Sequence, residues 1–171
     1  MKYFHVFSLF LFLTSCASYE QFKHVTTELE IPYKIFPNEF SQTFHAVLQV
    51  MKKYDLTQRR PDTGVVKTAW IPNTLQMNFN DSFSGRNSVK AAKFKIIVNI
   101  TKGVRRNREV SKVTIFKRQM VEQDVLQGWK VISSDGIQEK VILYRIARLL
   151  NIDSKLKKIE DMKSKEEEAN F

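Results

Sequence analysis

The stretch Lys93-Phe94-Lys95-Ile96-Ile97-Val98-Asn99-Ile100-Thr101 decides the fold. Its side chains alternate between apolar and polar, and Ile97 is the one exception. Successive side chains of a β-strand point to opposite faces of the sheet. The stretch therefore predicts a strand with one buried face and one solvent-facing face. The apolar face holds Phe94, Ile96, Val98 and Ile100, and the polar face holds Lys93, Lys95, Asn99 and Thr101.

Two hairpins can be built outward from this strand. The polar segment 102–108 connects it to a partner strand over 110–119, in which Val113 and Ile115 face inward and Lys112, Thr114 and Arg118 face outward. Earlier in the chain, Pro61-Asp62-Thr63-Gly64 is a strong turn signal between strands at 54–60 and 65–71. Val66, Thr68 and Trp70 share one face of the later strand by alternation, but Val65, Ala69 and Ile71 are apolar too. Which face of this strand is buried therefore stays open.

Helical periodicity flanks the strands on both sides. After Pro37, with Asn38 as the expected N-cap, an apolar stripe predicts an amphipathic helix; it contains Phe40, Phe44, Val47, Leu48 and Met51. Asp135 is the expected cap of a second helix, with Gln138 in the capping-box position. Its broad apolar face runs to Leu150 and is formed by Ile137, Val141, Ile142, Tyr144, Ile146 and Leu149.

These elements predict an α+β fold of helix-grip type. We expect an antiparallel sheet of about four to five strands with two helices packed on one face, in the order α-β-β-β-β-α. The globular domain is expected over 38–151, followed by a charged tail at 152–171 that is frayed or disordered. Residues 72–88 resemble a loop in which Phe79 and Phe83 either pack inward or form an exposed contact.

The N-terminus carries a targeting pattern. Lys2 precedes an apolar run, and Leu13-Thr14-Ser15-Cys16 closes it with the one cysteine of the chain. The run is too short to span a membrane as a helix, because about 20 apolar residues are needed. A secretory signal with an incidental cysteine and an N-terminal core helix are the alternatives. The pattern resembles a bacterial lipoprotein signal peptide.

That resemblance implies cleavage after residue 15 and acylation of Cys16. Residues 16–37 would then be a lipidated tether, in which Tyr33, Ile35 and Phe36 form an apolar patch able to dock on the domain as an extended arm. Ala17 follows the cysteine where an aspartate would favour inner-membrane retention, so the resemblance implies the periplasmic face of the outer membrane. The lipid bilayer would be one partner.

The charge of the chain limits its other partners. The formal net charge is +10, and it belongs to the globular part: residues 17–151 hold 22 Lys and Arg against 12 Asp and Glu. Behind a lipoprotein signal, the anions available are lipid headgroups, lipid A phosphates, peptidoglycan carboxylates and acidic proteins rather than nucleic acid. A basic surface that merely keeps the protein soluble is the alternative.

Several segments together resemble the helix-grip domain of the lipoprotein C component of the outer-membrane β-barrel assembly machinery. They are 46–48, 54–56, Phe94-Lys95-Ile96, Trp129 and Ile142-Leu143-Tyr144-Arg145-Ile146, together with Asp62-Thr63-Gly64-Val65-Val66-Lys67-Thr68-Ala69-Trp70. The resemblance covers about residues 38–150 and implies one such domain, whereas the main member of that family has two and a long N-terminal segment. It implies an envelope protein as a partner.

The sequence gives little support to catalysis. His24 and His45 are not spaced as ligands, no metal cluster or nucleophile motif occurs, and Ser133-Ser134-Asp135-Gly136 is expected to cap a helix. We therefore expect neither an enzyme nor a cofactor. Trp70 and Trp129 are expected in the core.

The best binding candidate is a basic cluster at the tip of the second hairpin, formed by Lys102, Arg105, Arg106 and Arg108. Arginine forms bidentate contacts with phosphates and carboxylates. Lys93, Lys95, Lys112 and Arg118 could extend the cluster along the exposed sheet face, and a solvated turn is the alternative. The sequence thus predicts a non-enzymatic lipoprotein that is an accessory or scaffold in envelope or β-barrel assembly, or else a module that binds anionic envelope components.

Overall fold

A computed structural model describes residues 31–77, 89–123 and 126–169 of the 171-residue chain. From Pro32 onward these residues form one unit. Its strands are β1 (Tyr33–Phe36), β2 (Leu56–Arg60), β3 (Val65–Thr68), β4 (Ile71–Pro72), β5 (Ala91–Arg105), β6 (Arg108–Glu122) and β7 (Trp129–Ile132). Its helices are α1 (Phe40–Met51) and α2 (Ile137–Ala169), and residues 74–77 form a further helical segment.

The α+β class and the antiparallel sheet are confirmed. The sheet has seven strands instead of four to five, in the order β2-β3-β5-β6-β1, with β4 also paired to β5 and β7 also paired to β6. The extra strands are short segments that the sequence pattern does not separate from loops. The long β5–β6 hairpin forms the centre of the sheet, and every other strand except β2 pairs directly with it.

The central hairpin is longer than predicted. Its ladder continues through the segment expected to be a polar connection, and its last pair is Arg105 with Arg108. Arg106 and Asn107 form the turn, with φ of 52° and 63°. Positive φ at both central residues is the signature of a type I′ turn, whose twist matches that of the flanking strands. The high polarity of 102–108 hid this part of the ladder.

Strand β1 corrects the predicted start of the domain. Its residues were expected in the tether, but all four pair with β6, from Tyr33 opposite Thr114 to Phe36 opposite Ser111. Phe36 is buried in the core, and the Ser111 hydroxyl donates to the carbonyl of Asn38 at 2.9 Å. The apolar patch of the tether therefore docks as an extended arm, and the domain begins before residue 38.

The core lies between the sheet and the two helices. From the sheet it takes the predicted inward residues of the central hairpin, including Phe94, Ile96, Val98, Ile100, Val113 and Ile115. From the helices it takes Phe44, Val47, Met51, Ile142, Leu143, Ile146 and Leu150. The predicted apolar face of α2 is partly wrong, because Ile137, Val141 and Tyr144 are exposed. The helix carries two apolar stripes, and the sheet covers one of them.

The first hairpin turn is confirmed and depends on one glycine. Gly64 has φ of +69°, and its carbonyl accepts a hydrogen bond from the Ile100 amide at 2.8 Å. A Cβ atom on Gly64 would lie 2.0 Å from the Ile100 carbonyl oxygen. The turn is therefore held against the central strand at a distance that only glycine allows.

The ends of both helices differ from the predictions. Glu39, not Asn38, is the N-cap of α1, and its side chain makes no capping hydrogen bond. The side-chain amide of Asn38 instead donates a hydrogen bond to the side-chain oxygen of Gln42. Asp135 accepts from the Ile137 amide as expected, but Gln138 donates to the Tyr54 hydroxyl rather than closing a capping box. The tail predicted to be frayed or disordered is helical over 152–169, as a continuation of α2. The sequence signal at Asn151 was a change of composition, and it did not end the helix.

Candidate functional site: the open face of the sheet

One face of the sheet is not covered by the helices. Neighbours in an antiparallel pair share a face, so the register assigns each strand residue to the helix-covered side or to the open side, which we call the outer face. The outer face carries a set of cations that alternate with the buried residues: Arg60, Lys67, Lys93, Lys95, Arg105, Arg108, Lys112 and Arg118. Glu122 is the single carboxylate that the described strands place there. The outer face is therefore strongly basic.

Two tryptophans and two lysines form a patch on this face. The Lys93 Nζ atom lies 3.7 Å from the centroid of the Trp129 ring and 5.2 Å from that of Trp70. The Lys95 Nζ atom lies 4.7 Å from the Trp70 centroid. These distances are within the range of cation–π attraction, which contributes about 0.5–1 kcal/mol at exposed sites. We call these four residues the lysine–tryptophan patch.

Trp70 reaches the outer face because of a β-bulge. From Lys67 to Ile71 the chain advances four residues, while its partner β5 advances three, from Ile97 to Phe94. One extra residue reverses the alternation of side chains. At the break, the Thr68 hydroxyl accepts from the Ile96 amide at 3.0 Å and so replaces a missing ladder bond.

Both tryptophans were predicted in the core, and both predictions are wrong, because each side chain is 38% exposed. Trp129 lies outward because it pairs with Glu122, an outward residue of β6. The alternation of Glu122 with buried Val121 was present in the sequence, but the register of β7 was not. The bulge before Trp70 left no comparable signal.

Like charges lie close together at Lys95, a member of the lysine–tryptophan patch. Lys95 lies directly opposite Arg118 in the ladder, and Lys67 lies on the neighbouring strand. Partial burial lowers the pKa of Lys95 below its usual value, and repulsion from Lys67 and Arg118 lowers it further. Across the described residues, none of these three cations forms an ion pair with a carboxylate. The three therefore form a site of concentrated positive charge without an internal counterion.

The predicted basic cluster is divided by the sheet. Arg105 and Arg108 face each other on the outer face, and Arg106 lies in the turn, all three exposed. Lys102 pairs with Ser111 on the helix-covered side, where its Nζ atom lies 5.0 Å from the Phe40 ring centroid. Lys93, Lys95, Lys112 and Arg118 do continue the cluster, as the strand parity predicted. The continuous basic surface thus contains three of the four predicted residues.

The edge of the outer face formed by β1 is apolar. Tyr33 and Ile35 are exposed, and Phe116 of β6 is exposed on the same side. The Lys112 Nζ atom lies 4.3 Å from the Tyr33 ring centroid. Aromatic and basic side chains therefore lie side by side at this edge, as they do at the lysine–tryptophan patch. Sequence reasoning identified Tyr33 and Ile35 as apolar but not as part of this face.

Some candidate residues lie outside the described part of the chain. These are Cys16, His24, Phe79 and Phe83. Within residues 31–77, 89–123 and 126–169, three or more His, Cys, Asp or Glu side chains nowhere gather as they would around a metal ion. In the same ranges, neither helix combines the length and the hydropathy needed to cross a bilayer.

Comparison with known proteins does not assign the chain to a family. No protein-family model matches it, and no curated protein is similar to it at a significant level. The function must therefore be inferred from the geometry and chemistry of the outer face.

Proposed function

We propose that this protein is a non-enzymatic bacterial envelope lipoprotein, anchored in the outer membrane through acylated Cys16, whose outer face binds anionic groups of the envelope. The observation that carries the proposal is the cation cluster of Lys67, Lys95 and Arg118 beside the lysine–tryptophan patch. An uncompensated cluster of this kind costs stability in the free protein, and a bound anion would remove that cost.

The chemistry of the face suits phosphates and carboxylates. Arg118, Arg105 and Arg108 can form bidentate contacts with either group. The rings of Trp70 and Trp129 hold the flexible lysine side chains in place, which reduces the entropy lost when an anion binds. Tryptophan is also favoured at the headgroup level of a bilayer, where one end of the ring is apolar and the other is hydrated.

The turn at the hairpin tip supports the same function. Arg106 adopts positive φ, a conformation that glycine and asparagine adopt at lower cost. An arginine at this position presents a charge at the most exposed point of the hairpin. With Arg105 and Arg108 it would give the tip three cations for a phosphate-bearing surface.

Vesicle binding tests the proposal directly. The full chain with Cys16→Ser, in detergent below its micellar concentration, is expected to sediment with vesicles that contain anionic lipid and not with neutral vesicles. The paired variant Lys67→Gln/Lys95→Gln should lose most of this binding, as should Arg105→Ala/Arg106→Ala. A matched control, Lys155→Gln/Lys163→Gln, removes the same charge from α2 and should retain it. Equal losses in all three variants would reduce the effect to net charge and contradict a specific face.

Two further conditions sharpen that experiment. Binding should weaken steeply as salt rises, because the Debye length falls from about 10 Å at 0.1 M to about 3 Å at 1 M. Binding should also be measured in parallel to vesicles that carry lipid A and to isolated peptidoglycan. The first offers phosphates and the second offers carboxylates, so the comparison shows which anion is bound. Retention on peptidoglycan alone would identify the carboxylate source.

The exposed apolar edge favours a second candidate function, an accessory or scaffold in envelope or β-barrel assembly. Tyr33, Ile35 and Phe116 offer an apolar surface for a protein partner, which basic residues alone would not require. A photo-crosslinking residue at Phe116 in cells should then capture a component of the barrel-assembly machinery. The same residue at Leu75, which is exposed elsewhere, is the control. Capture of no such component at Phe116 would reject the scaffold and leave the anion-binding proposal intact.

The lipid anchor has its own test. In cells, the full chain is expected in the membrane fraction and the Cys16→Ser variant in the soluble fraction. A variant that remains in the membrane fraction would contradict acylation at Cys16.

A further inference from the structure

Helix α2 carries a second apolar stripe that the described part of its own domain does not cover. The stripe begins beside the core with Ile137, Val141 and Tyr144, and it continues past Leu150 with Ile152, Leu156, Ile159 and Met162. All seven side chains are between 43% and 64% exposed. The helix is 33 residues long, and the last five turns extend beyond the residues that pack on the sheet.

The stripe lies on the opposite side of the helix from the core. At 100° per residue, the seven exposed apolar residues lie within about 120° of one another, in a sector that also holds Arg145, Arg148, Lys155 and Lys163, while Ile142, Ile146 and Leu150 lie on the other side. The side of the extension that faces α1 is polar: Asp153, Ser154, Lys157 and Asp161 line a cleft there with Ser41, Gln42 and His45. The apolar stripe therefore points away from α1 and the sheet, and none of the described residues of the same chain covers it.

Charge along α2 indicates what can cover it. The first half of the helix exposes Lys140, Arg145 and Arg148. The last ten residues carry five carboxylates (Glu160, Asp161, Glu166, Glu167 and Glu168) against two lysines. Two copies of α2 laid antiparallel would bring the basic half of each against the acidic end of the other, whereas a parallel pair would place like charges together.

We propose that the stripe is a homodimer interface, in which the α2 helices of two copies pair antiparallel about a two-fold axis on the stripe side of the helix, at the level of Ser154 along its length. In this register Ile152 of one copy packs against Leu156 of the other, and Arg148 lies beside Glu160. A two-fold interface repeats each residue–residue contact, so a contact that contributes little by itself contributes twice to the stability of the dimer. A membrane surface is the less suitable occupant, because the three glutamates at the end of the helix repel anionic headgroups.

Disulfide cross-linking in the full chain tests both the partner and its direction. Tyr144→Cys in one copy and Met162→Cys in another should cross-link when the two variants are co-expressed, because the two positions lie nearly opposite. Met162→Cys alone should not, since two such positions would be about 24 Å apart along the pair, from a rise of about 1.5 Å per residue, and a disulfide needs Cα atoms within about 7 Å. The unsubstituted chain controls for Cys16. The product is expected at twice the mass of the single chain run beside it.

Sedimentation equilibrium of the full chain in density-matched detergent gives an independent measure. Ile159→Ser should convert the dimer to a monomer, while Val104→Ser, at an apolar and even more exposed site on the hairpin, should not. Glu160→Arg should weaken the dimer about 3- to 10-fold, and Arg148→Glu in the same chain should restore it.

Three results would overturn the proposal. The first is a monomer for the unsubstituted chain, and the second is cross-linking of Met162→Cys to itself. The third is an Ile159→Ser variant that keeps its mass and instead loses vesicle binding, which would place the stripe on a membrane. The first two outcomes leave anion binding by the outer face unaffected, and in the third case Lys67→Gln/Lys95→Gln, which does not alter the stripe, still tests the outer face, so the two proposals can fail separately.

Discussion

The two faces of one sheet carry opposite kinds of residue on the same strands. On the covered face, Ile96, Val98, Val113 and Ile115 are fully buried against the helices. One residue along each strand, the outer face presents lysines, arginines and exposed aromatic rings. Folding requires that one face of the sheet be buried, whereas the other face need only be compatible with water. Mutually repelling cations and half-exposed tryptophans exceed that requirement, and this excess is the reason for proposing the outer face as the functional one.

Adjacent isoleucines give the sharpest contrast between the faces. Ile96→Ala should destabilise the protein by about 3 kcal/mol, because it leaves a cavity in a packed core. Ile97→Ala, on the outer face, should cost less than about 1 kcal/mol. Urea unfolding of both variants measures the difference. Equal costs would mean that the outer face is covered in solution.

The Gly64 turn, which connects β2 to β3 and packs against β5, is the next most sensitive point. Gly64→Ala should destabilise by about 2 kcal/mol or more, because it combines positive φ with an overlap against the Ile100 carbonyl. Gly128→Ala is the matched control, since Gly128 also has positive φ but no atom near its Cβ position. Thermal unfolding should separate the two variants, and similar melting temperatures would show that the turn moves away from β5.

Removal of a ring from the outer face should affect binding more than stability. Trp129→Ala is expected to cost about 1 kcal/mol of stability, from lost partial burial and one cation–π contact. Its affinity for anionic vesicles should fall about 3- to 10-fold, because Lys93 is no longer held in place. Trp129→Phe keeps a ring and should retain most of the affinity. An alanine variant that binds normally would remove the tryptophan from the site.

Much of the inner face could be predicted from the sequence, because alternation within a strand is local information. Phe94 to Ile100 and Val113 to Ile115 were assigned to the correct side for this reason. Trp70 and Trp129 were not, since their orientation depends on the register between strands far apart in the chain. Burial was assumed from residue type, and tertiary pairing decided otherwise.

The basic surface was predictable in part for the same reason. The spacing of Lys93, Lys95, Lys112 and Arg118 already placed them on the polar side of their strands. Lys102 was grouped with its neighbours by proximity in sequence, although its parity in the extended ladder places it on the helix-covered side. Likewise, the polar composition after Asn151 could not indicate whether the helix continues, because solvated helices and disordered tails share that composition.

The smallest expected effect has the opposite sign. Lys67→Gln should stabilise the protein by a few tenths of a kcal/mol, because it removes one of the cations that repel Lys95. The lowered pKa of Lys95 means that the unfolded chain binds its proton more tightly. Repulsion is therefore fully present at neutral pH and is relieved as the pH rises toward 10.5.

The difference between Lys67→Gln and the unsubstituted chain should accordingly shrink between neutral and alkaline pH. Thermal melts of both proteins across that range measure it. A variant that is less stable at neutral pH would indicate that Lys67 is held by favourable contacts, and the cation cluster would then lose its significance.

The bulge between Lys67 and Ile71 means that the proposed binding surface depends on a residue count as well as on residue identity. If the same residues formed a regular strand without the bulge, Trp70 would lie three residues after the outward Lys67, and its indole would turn toward the hydrophobic interior; deleting Ala69 would place Trp70 two residues after Lys67 and keep it on the outer face. Conversely, a single-codon insertion in an ordinary core strand would be enough to bring a buried tryptophan to the surface. Such a surface can arise in evolution without any new side chain.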